Sequence, residues 1–433
     1  MKTRFTYLLI CLLLALQACS PMDAWEPYDG ADVFVSSGTP TDYTVNEFMR
    51  IIKDEFGIDM ESTLRPVIDF TQLDKMVVRF VPITYNTVDP LDRPILASGC
   101  VIYPLNEKAK GVIDVMPFGY MANTQAASEN GLSTEHSLVF MKQIVICPDF
   151  LDAGVSKSPR GDTMLPLGDD QAAQGDCYHP LLSMDNSGRV AFDMHIAAAQ
   201  YFEKELGQKL PKHTSIFGYS EGGSDALAYN RWVDLHGNGA VIIDKTFSGG
   251  GAHDLIAAYQ YLREVKSQLY PIFPALIYSI DYWTPSLALD YTQLFNPNGL
   301  LLQEGSDTYF RILLNRKHHY MATLGSDMAS YLNESFFENW DDQNEFSKLL
   351  PYMEYNNASA DPDWTPRNPI YLFHAVGDKH IPEPCSQSAY EALKAKGCNV
   401  FYERNMDYAT HDDPHMEGAI RFFVSACGYF ALD

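Results

Sequence analysis

Hydrophobic positions along the chain form short apolar runs that alternate with segments in which apolar residues recur every three to four positions. After a helix predicted from Val45 to Phe56, two long strands are expected, Met76 to Tyr85 and Ile95 to Tyr103, joined by a hairpin-like connection. Further strands are predicted at 111–116, 143–148, 215–219, 244–251, 368–378 and 399–404, and helices at 189–206, 221–235, 386–396 and 417–431. This alternation predicts an α/β protein with a mainly parallel, doubly wound sheet, whose active site lies at the carboxyl ends of the strands.

The alternation stops between Gly251 and Asn368, where no strand-turn-helix unit occurs for more than one hundred residues. This segment is rich in Tyr, Leu and Phe, and it has helical runs from Asp254 to Lys266 and from Pro285 to Phe295. A structureless loop of that length is implausible inside a compact domain. We therefore expect a mostly helical cap, about residues 252–366, inserted into the sheet topology, with aromatic residues that chiefly form the core of the cap.

The stretch around Ser220 is the most informative part of the chain. An apolar strand leads into Gly218-Tyr219-Ser220-Glu221-Gly222, a Gly-x-Ser-x-Gly pentapeptide, and a helix-forming segment follows at once. The two glycines permit a sharp strand-to-helix turn that exposes the serine hydroxyl at the edge of the sheet. The N-terminal amides of the helix then point to the space above the serine, where an oxyanion would form. Ser220 is therefore the predicted nucleophile; an ordinary glycine-rich turn is the structural alternative.

An acid and a base for such a serine are expected downstream, in the chain order Ser, Asp or Glu, His. A buried strand ends at Gly377-Asp378, which makes Asp378 the predicted acid. Two histidines, His411 and His415, lie shortly before the final helix. We favour His415 as the base because it directly precedes that helix. His411 is the alternative base, although the neighbouring acids at 412–413 would keep its ring solvated and protonated.

The N-terminus has the pattern of a bacterial lipoprotein signal. Two cationic residues precede an apolar run of about ten residues, too short to span a bilayer, and Leu16-Gln17-Ala18-Cys19 is a lipobox. We expect residues 1–18 to be a signal peptide and the sulfur of Cys19 to be lipidated; a simple secretory signal is the alternative. Residues 19–39 are then an irregular tether and N-terminal arm, and residues 40–433 the α/β domain. The predicted location is the bacterial cell envelope, as an outer-membrane lipoprotein.

The charge of the chain limits its partners. Loss of the two cations in the signal peptide takes the formal net charge from −25 to −27. Nucleic-acid binding needs clustered Lys and Arg, so no nucleic-acid partner is expected. A polyanionic substrate is disfavoured for the same reason.

Cysteine spacing and the acidic loop near the C-terminus predict no metal site. The chain has no Cys-x-x-Cys motif, and Pro414 disfavours the helix on which His411 and His415 would share one side. Cys385 and Cys398 flank a helix that is too long for a direct disulfide. Other pairings stay open among Cys100, Cys147, Cys177, Cys385, Cys398 and Cys427.

Several motifs together suggest a family. Residues 145–156 (from Val145), Tyr178-His179-Pro180, Gly218 to Gly223, Ser248 to Leu255 and the Asp378 segment resemble the secretory lipase/esterase group of α/β hydrolases. The resemblance covers roughly residues 75–430, and the combination of motifs is specific to the group. It implies the α/β-hydrolase fold with a helical cap, and serine-dependent hydrolysis of carboxylic esters. Lipids or acylated sugars are the implied substrates, and no metal or organic cofactor is implied.

The chain departs from this group where half of the oxyanion hole is expected. The group usually has a His-Gly-Thr-like turn after the third strand, and here residues 116–120 read Met-Pro-Phe-Gly-Tyr. Pro117 has no N–H to donate, but any other backbone amide serves whatever its side chain. The resemblance therefore implies the amide of Gly119 as one donor, with Phe118 and Tyr120 as alternatives, and the amide of Glu221 as the other.

Acyl transfer is the leading interpretation of these residues. Ser220 attacks a carbonyl, His415 moves the proton and Asp378 orients the imidazole. A serine exopeptidase on the same fold is an alternative, although the chain offers no clear acidic pair for a peptide N-terminus. A non-catalytic surface lipoprotein that binds a glycan or a partner is the other alternative, and the intact Ser-Asp-His order argues against it.

Overall fold

The computed structural model describes residues 29–73, 75–119, 126–130, 132–156, 179–302, 324–341 and 343–432. The predictions for the signal peptide and Cys19 lie outside these residues, as do the candidate donor Tyr120 and Cys177. The five cysteines in the described ranges are free thiols. No helix within these ranges is both long and apolar enough to cross a bilayer.

One sheet of ten strands forms the centre of the described structure. The strands are β1 Phe34–Ser37, β2 Thr41–Thr44, β3 Val77–Val88, β4 Pro94–Pro104, β5 Gly111–Met116, β6 Gln143–Pro148, β7 His213–Tyr219, β8 Ile242–Gly249, β9 Ile370–Ala375 and β10 Val400–Asn405. Their spatial order is β1-β3-β4-β6-β5-β7-β8-β9-β10, with β2 also paired to β3. Pairing is antiparallel from β1 to β6 and parallel from β6 to β10. The mainly parallel sheet confirms the predicted fold class.

Helices cover both faces of this sheet. They are α1 Val45–Phe56, α2 Met60–Leu64, α3 Ala127–Asn130, α4 Met184–Leu206, α5 Glu221–His236, α6 Leu255–Val265, α7 Phe273–Trp283, α8 Tyr291–Leu294, α9 Leu350–Tyr355, α10 Pro384–Ala395 and α11 Pro414–Leu432. Phe48 of α1 and Phe423 of α11 belong to the core on one face. Phe192 of α4 and Trp232 of α5 belong to the core on the other face. Both faces of the parallel strands are thus buried, as such strands require.

The strand before Ser220 shows how the sequence builds these two cores. Phe217 and Tyr219 project into the core that contains α1 and α11, and Ile216 projects into the core that contains α4 and α5. All three side chains are at most 4% exposed. Because β7 is anchored on both faces, Ser220 is held firmly at the carboxyl edge of the sheet.

A helical insertion lies between β8 and β9. Its described residues form α6 to α9 and short 3-10 turns, without a strand. It has a core of its own, in which the rings of Phe336, Trp340 and Phe346 pack against one another. An ion pair between Asp361, near the end of the insertion, and the buried Arg231 joins it to α5. The insertion is therefore packed on the sheet domain rather than separate from it.

Two local predictions are wrong, and one helix of the insertion is not predicted. The irregular arm up to Thr39 contains β1, a short edge strand held by backbone pairing to β3 that no alternation of buried side chains marks. The helix predicted from Pro285 to Phe295 is instead a 3-10 turn, Pro285–Leu287, followed by the four-residue α8. Ala288, which caps the turn, has a φ of 47°. Helix α7 is not predicted because it is apolar on nearly every side, so no helical period stands out.

Candidate active site

Ser220 occupies the turn between β7 and α5 in a conformation that non-glycine residues rarely adopt. Its φ is 60° and its ψ is −125°, and such strain is typical of functional sites where the surroundings enforce it. A Cβ built on Gly218 would lie 1.9 Å from the carbonyl oxygen of Gly222. A Cβ built on Gly222 would lie 2.3 Å from the carbonyl oxygen of Met116. Close backbone approach on both sides of the serine therefore requires the two glycines of the pentapeptide.

Asp378 and His415 form a buried hydrogen-bonded pair. The Nδ1 atom of His415 lies 2.5 Å from Oδ2 of Asp378, and the two residues are 4% and 3% exposed. The Oδ1 atom of Asp378 accepts the amide N–H groups of His380 and Ile381, at 2.8 and 3.0 Å. With both oxygens of the carboxylate engaged as acceptors, Nδ1 of His415 carries the proton and Nε2 is the basic nitrogen.

The charge state of Asp378 follows from its surroundings. Burial acts to raise the pKa of Asp378, but the charge of His415 and hydrogen bonds from His374 and His415 outweigh it and hold the pKa well below its ordinary value. The Nε2 atom of His374 lies 3.3 Å from Oδ2 of Asp378. Asp378 is therefore an ionised carboxylate in a buried site, which is the state that orients an imidazole.

The two candidate bases are in different places. His411 is on the surface, with a side chain 44% exposed, and its Nδ1 atom lies 2.5 Å from Oε2 of Glu417. Asp413 is expected from the sequence to help keep the ring of His411 solvated, but its carboxylate contacts His380 instead. The structure thus brings His415, and not His411, to Asp378. Within the described ranges no three His, Cys, Asp or Glu side chains are grouped as ligands for a metal ion.

The predicted oxyanion donors come from the loop after β5 and the start of α5. A Cβ built on Gly119 would lie 2.9 Å from Oε2 of Glu221, so the loop packs directly on the residue after Ser220. Phe118 and Gly119 both line the cavity beside Ser220, so Gly119 stays the predicted donor and Phe118 its alternative.

A second histidine–acid pair lies behind the turn. The Nε2 atom of His179 is hydrogen-bonded to Oε1 of Glu221, and both side chains are buried. Burial and the charge of Glu221 raise the pKa of Asp225, on the next turn of α5, to about 8. The carboxylate of Glu221, next to the predicted oxyanion site, is thus paired with the imidazole of His179.

A cavity of about 470 Å³ opens beside Ser220 and His415. Most of its lining is apolar and comes from both the helical insertion and the sheet domain, including Phe217, Leu255, Leu262, Phe273, Leu276 and Phe423. Phe273 and Tyr270, expected mainly in the core of the cap, also contribute to this wall. The volume and lining are those of a site for a small, largely apolar molecule.

The sequence analysis missed two residues that contact His415. The hydroxyl of Tyr219 donates to the carbonyl oxygen of His415 at 2.7 Å, and the ring of His380 lies 4.8 Å from the His415 ring. Tyr219 precedes Ser220 and His380 follows Asp378 by two positions, so closeness in the chain to a predicted site residue is the one signal that marks either of them.

Comparisons with known proteins show the fold. No protein-family model matches the chain, and no curated protein sequence matches it. The rice cell wall degrading esterase LipA from Xanthomonas oryzae is similar in structure, with a TM-score of 0.69 and 18% identity over 91% of this chain and 96% of that chain. Candida antarctica lipase A has a TM-score of 0.52 and 14% identity over 76% of this chain and 72% of that chain. The chain has the α/β-hydrolase fold.

Proposed function

We propose that the protein is a serine-dependent hydrolase of carboxylic esters. The observation that carries the proposal is the strained Ser220 at the carboxyl edge of the sheet, which lines one cavity with His415 of the buried Asp378–His415 pair. The names of the two similar structures, an esterase and a lipase, support the same class of reaction. Because one fold can host many chemistries, the class of reaction is inferred from the residues of the site.

In the proposed mechanism the acyl group of the ester is first transferred to Ser220 and then to water. Oγ of Ser220 attacks the ester carbonyl while Nε2 of His415 accepts the hydroxyl proton, and that proton then goes to the departing alcohol. Asp378 stabilises the imidazolium, and the amides of Glu221 and Gly119 donate to the oxyanion. Water, deprotonated by His415, then attacks the acyl-enzyme; the acid is released as the imidazolium returns the proton to Oγ of Ser220. None of these steps calls for a metal or an organic cofactor.

The cavity supports an ester with an apolar group as the substrate. At roughly 30 Å³ for each water-sized group, a volume of about 470 Å³ accommodates an acyl chain or alcohol of moderate length. Lipid esters and acylated glycans both present such a group. Three acids line the cavity. Glu221 and Glu417 are already paired with His179 and His411. Burial raises the pKa of Glu135, which favours its uncharged form, so none of the three favours an exopeptidase that binds a free amino group.

The proposed location is the bacterial envelope, with the chain tethered through a lipidated Cys19. The support is the lipobox in the sequence, which lies outside the described residues. A membrane-tethered hydrolase would meet esters of lipids and of surface glycans.

A substrate panel tests the function. The soluble chain without its first 19 residues is assayed on short p-nitrophenyl esters, long triglycerides, acetylated or feruloylated glycans and aminoacyl amides. We expect hydrolysis of esters and none of the amides, with a loss of at least about 10⁴-fold in Ser220→Ala. Ser62→Ala, at an exposed position of α2, is the matched control. Ester hydrolysis that survives in a folded Ser220→Ala protein would contradict the proposal.

A further inference from the structure

His380 lies between the helical insertion and His415. Its ring centroid is 4.8 Å from that of His415, with 31° between the planes, and 4.1 Å from that of Tyr270, with 45° between the planes. His380 is 3% exposed. Three rings from the insertion, the loop after β9 and the start of α11 therefore form a continuous row.

Hydrogen bonds fix His380 on the side of the base. Its Nε2 atom lies 3.0 Å from Oδ1 of Asp413, and the same oxygen accepts the amide N–H of Met416 in the first turn of α11. A carboxylate only accepts hydrogen bonds, so Nε2 of His380 carries the proton. The amide of His380 donates to Asp378. His380 thus contacts Asp378, the ring of His415, and Asp413. The side chain of Asp413 caps the first turn of α11, the helix that carries His415.

Further hydrogen bonds fix the same residue on the side of the insertion. The side-chain amide of Gln268 donates to the carbonyl oxygen of His380 at 3.2 Å. The amide of Leu269 donates to the carbonyl oxygen of Lys379 at 2.8 Å. Tyr270, which completes this segment, also lines the cavity. A change in the position of this cavity wall is therefore transmitted directly to the residues that follow Asp378.

The charge state of His380 suits a role in orientation rather than proton transfer. Burial and the charge of His415 lower the pKa of His380 to about 4, against the opposing charges of Asp378 and Asp413. At neutral pH the ring is uncharged. It therefore places no second positive charge against His415 when that residue becomes an imidazolium.

We propose that His380 is a positioning residue that couples the helical insertion to the base His415, an inference that rests on the proposed ester hydrolysis. The ring of His380 limits rotation of the His415 side chain, and its bond to Asp413 holds the residue directly before α11, the helix that carries His415. A substrate that packs on Tyr270 thereby stabilises the productive orientation of the base. Orientation of a catalytic group affects kcat more than binding of the ground state.

Substitution at His380 separates this role from a merely structural one. His380→Ala should lower kcat on the order of 10- to 100-fold, with KM changed by less than about threefold. His380→Gln keeps an N–H for Asp413 and should recover most of the loss in kcat. His213→Ala is the matched control, since His213 is exposed and paired with Asp244 at the other end of the strands. A kcat within twofold of wild type in a folded His380→Ala protein, or a Gln variant as slow as the Ala variant, would overturn the inference.

A double-mutant cycle tests the coupling to the insertion. Tyr270→Ala and His380→Ala are measured alone and together. If the two rings act through one path, the double variant should lose no more kcat than the slower single variant, whereas independent effects would multiply and overturn the coupling. Ser220→Ala is measured beside them. Turnover that persists in Ser220→Ala would refute the proposed function, whereas an inactive Ser220→Ala with additive losses would refute the coupling alone.

Discussion

Replacing Asp378 with Asn tests how the acid acts on the base. The substitution keeps the shape of the side chain, and the structure dictates how the new amide is oriented. Oδ1 of Asp378 accepts the N–H groups of His380 and Ile381 at 2.8 and 3.0 Å, so only the oxygen of Asn can occupy that position. The NH₂ group of Asn must then face Nδ1 of His415.

That orientation inverts the tautomer of His415. An NH₂ group donates a hydrogen bond, so Nδ1 of His415 becomes the acceptor and the ring proton moves to Nε2, the nitrogen that must take the proton of Ser220. The negative charge that stabilises the imidazolium is lost as well. The corresponding change in a serine protease triad costs about 10⁴-fold in kcat. At about 1.36 kcal/mol for each tenfold, this equals about 5.5 kcal/mol of barrier. We expect a loss of that order here.

The assay compares kcat of wild type, Asp378→Asn and Asp244→Asn on one ester, with thermal unfolding as the check on folding. Asp244→Asn makes the same change in an exposed histidine–aspartate pair, in which Nδ1 of His213 lies 2.7 Å from Oδ1 of Asp244. It should leave kcat unchanged. A folded Asp378→Asn protein with kcat within tenfold of wild type would refute the assignment of Asp378 as the orienting acid.

Three further predictions concern the base, the turn and the anchor. His415→Ala should lose nearly as much activity as Ser220→Ala, since triad members act as a unit. His411→Ala should lose at most about tenfold in activity, or about 1.4 kcal/mol of barrier. The reverse ranking in ester assays of folded proteins would move the base to His411. Gly222→Ala should lower the free energy of unfolding by about 1–3 kcal/mol, because its Cβ would meet backbone oxygens at 2.3 and 2.6 Å. Gly428→Ala, inside α11 with its nearest contact at 3.7 Å, should raise it by about 1 kcal/mol; urea unfolding measures both, and equal effects would contradict the packing argument. Labelling cells with a clickable fatty acid should tag the wild-type protein and not Cys19→Ala, and a tag that persists would show that the lipobox is misread.

The parts of the fold that the sequence predicts are those with a local cause. Side chains of β7 pack alternately into two cores, which gives the strand its apolar pattern. A Cβ at Gly218 or Gly222 would meet a backbone oxygen, so the two glycines mark the tight turn at Ser220. The end of β9 marks Asp378 for a similar reason, since a buried strand that stops at an acid leaves that acid at the edge of the sheet. These are short-range constraints, and composition and spacing express them directly.

Features that depend on contacts between distant parts of the chain cannot be predicted from the local sequence. The contact of His380 with Tyr270 joins residues more than one hundred positions apart, and nothing in either local sequence anticipates it. Strand β1 escapes prediction because an edge strand is held by backbone pairing rather than by a buried face.

The identity of the reacting serine is the central claim, and covalent labelling tests it most directly. The soluble protein is treated with a fluorophosphonate probe, digested, and the modified residue is located by peptide mass spectrometry, with Ser220→Ala treated in parallel. An activated serine reacts with such a probe as it would with an ester carbonyl. We expect one adduct per chain, on Ser220, and none in the Ser220→Ala protein. An adduct on another serine, or no adduct on a protein that hydrolyses esters, would contradict that expectation.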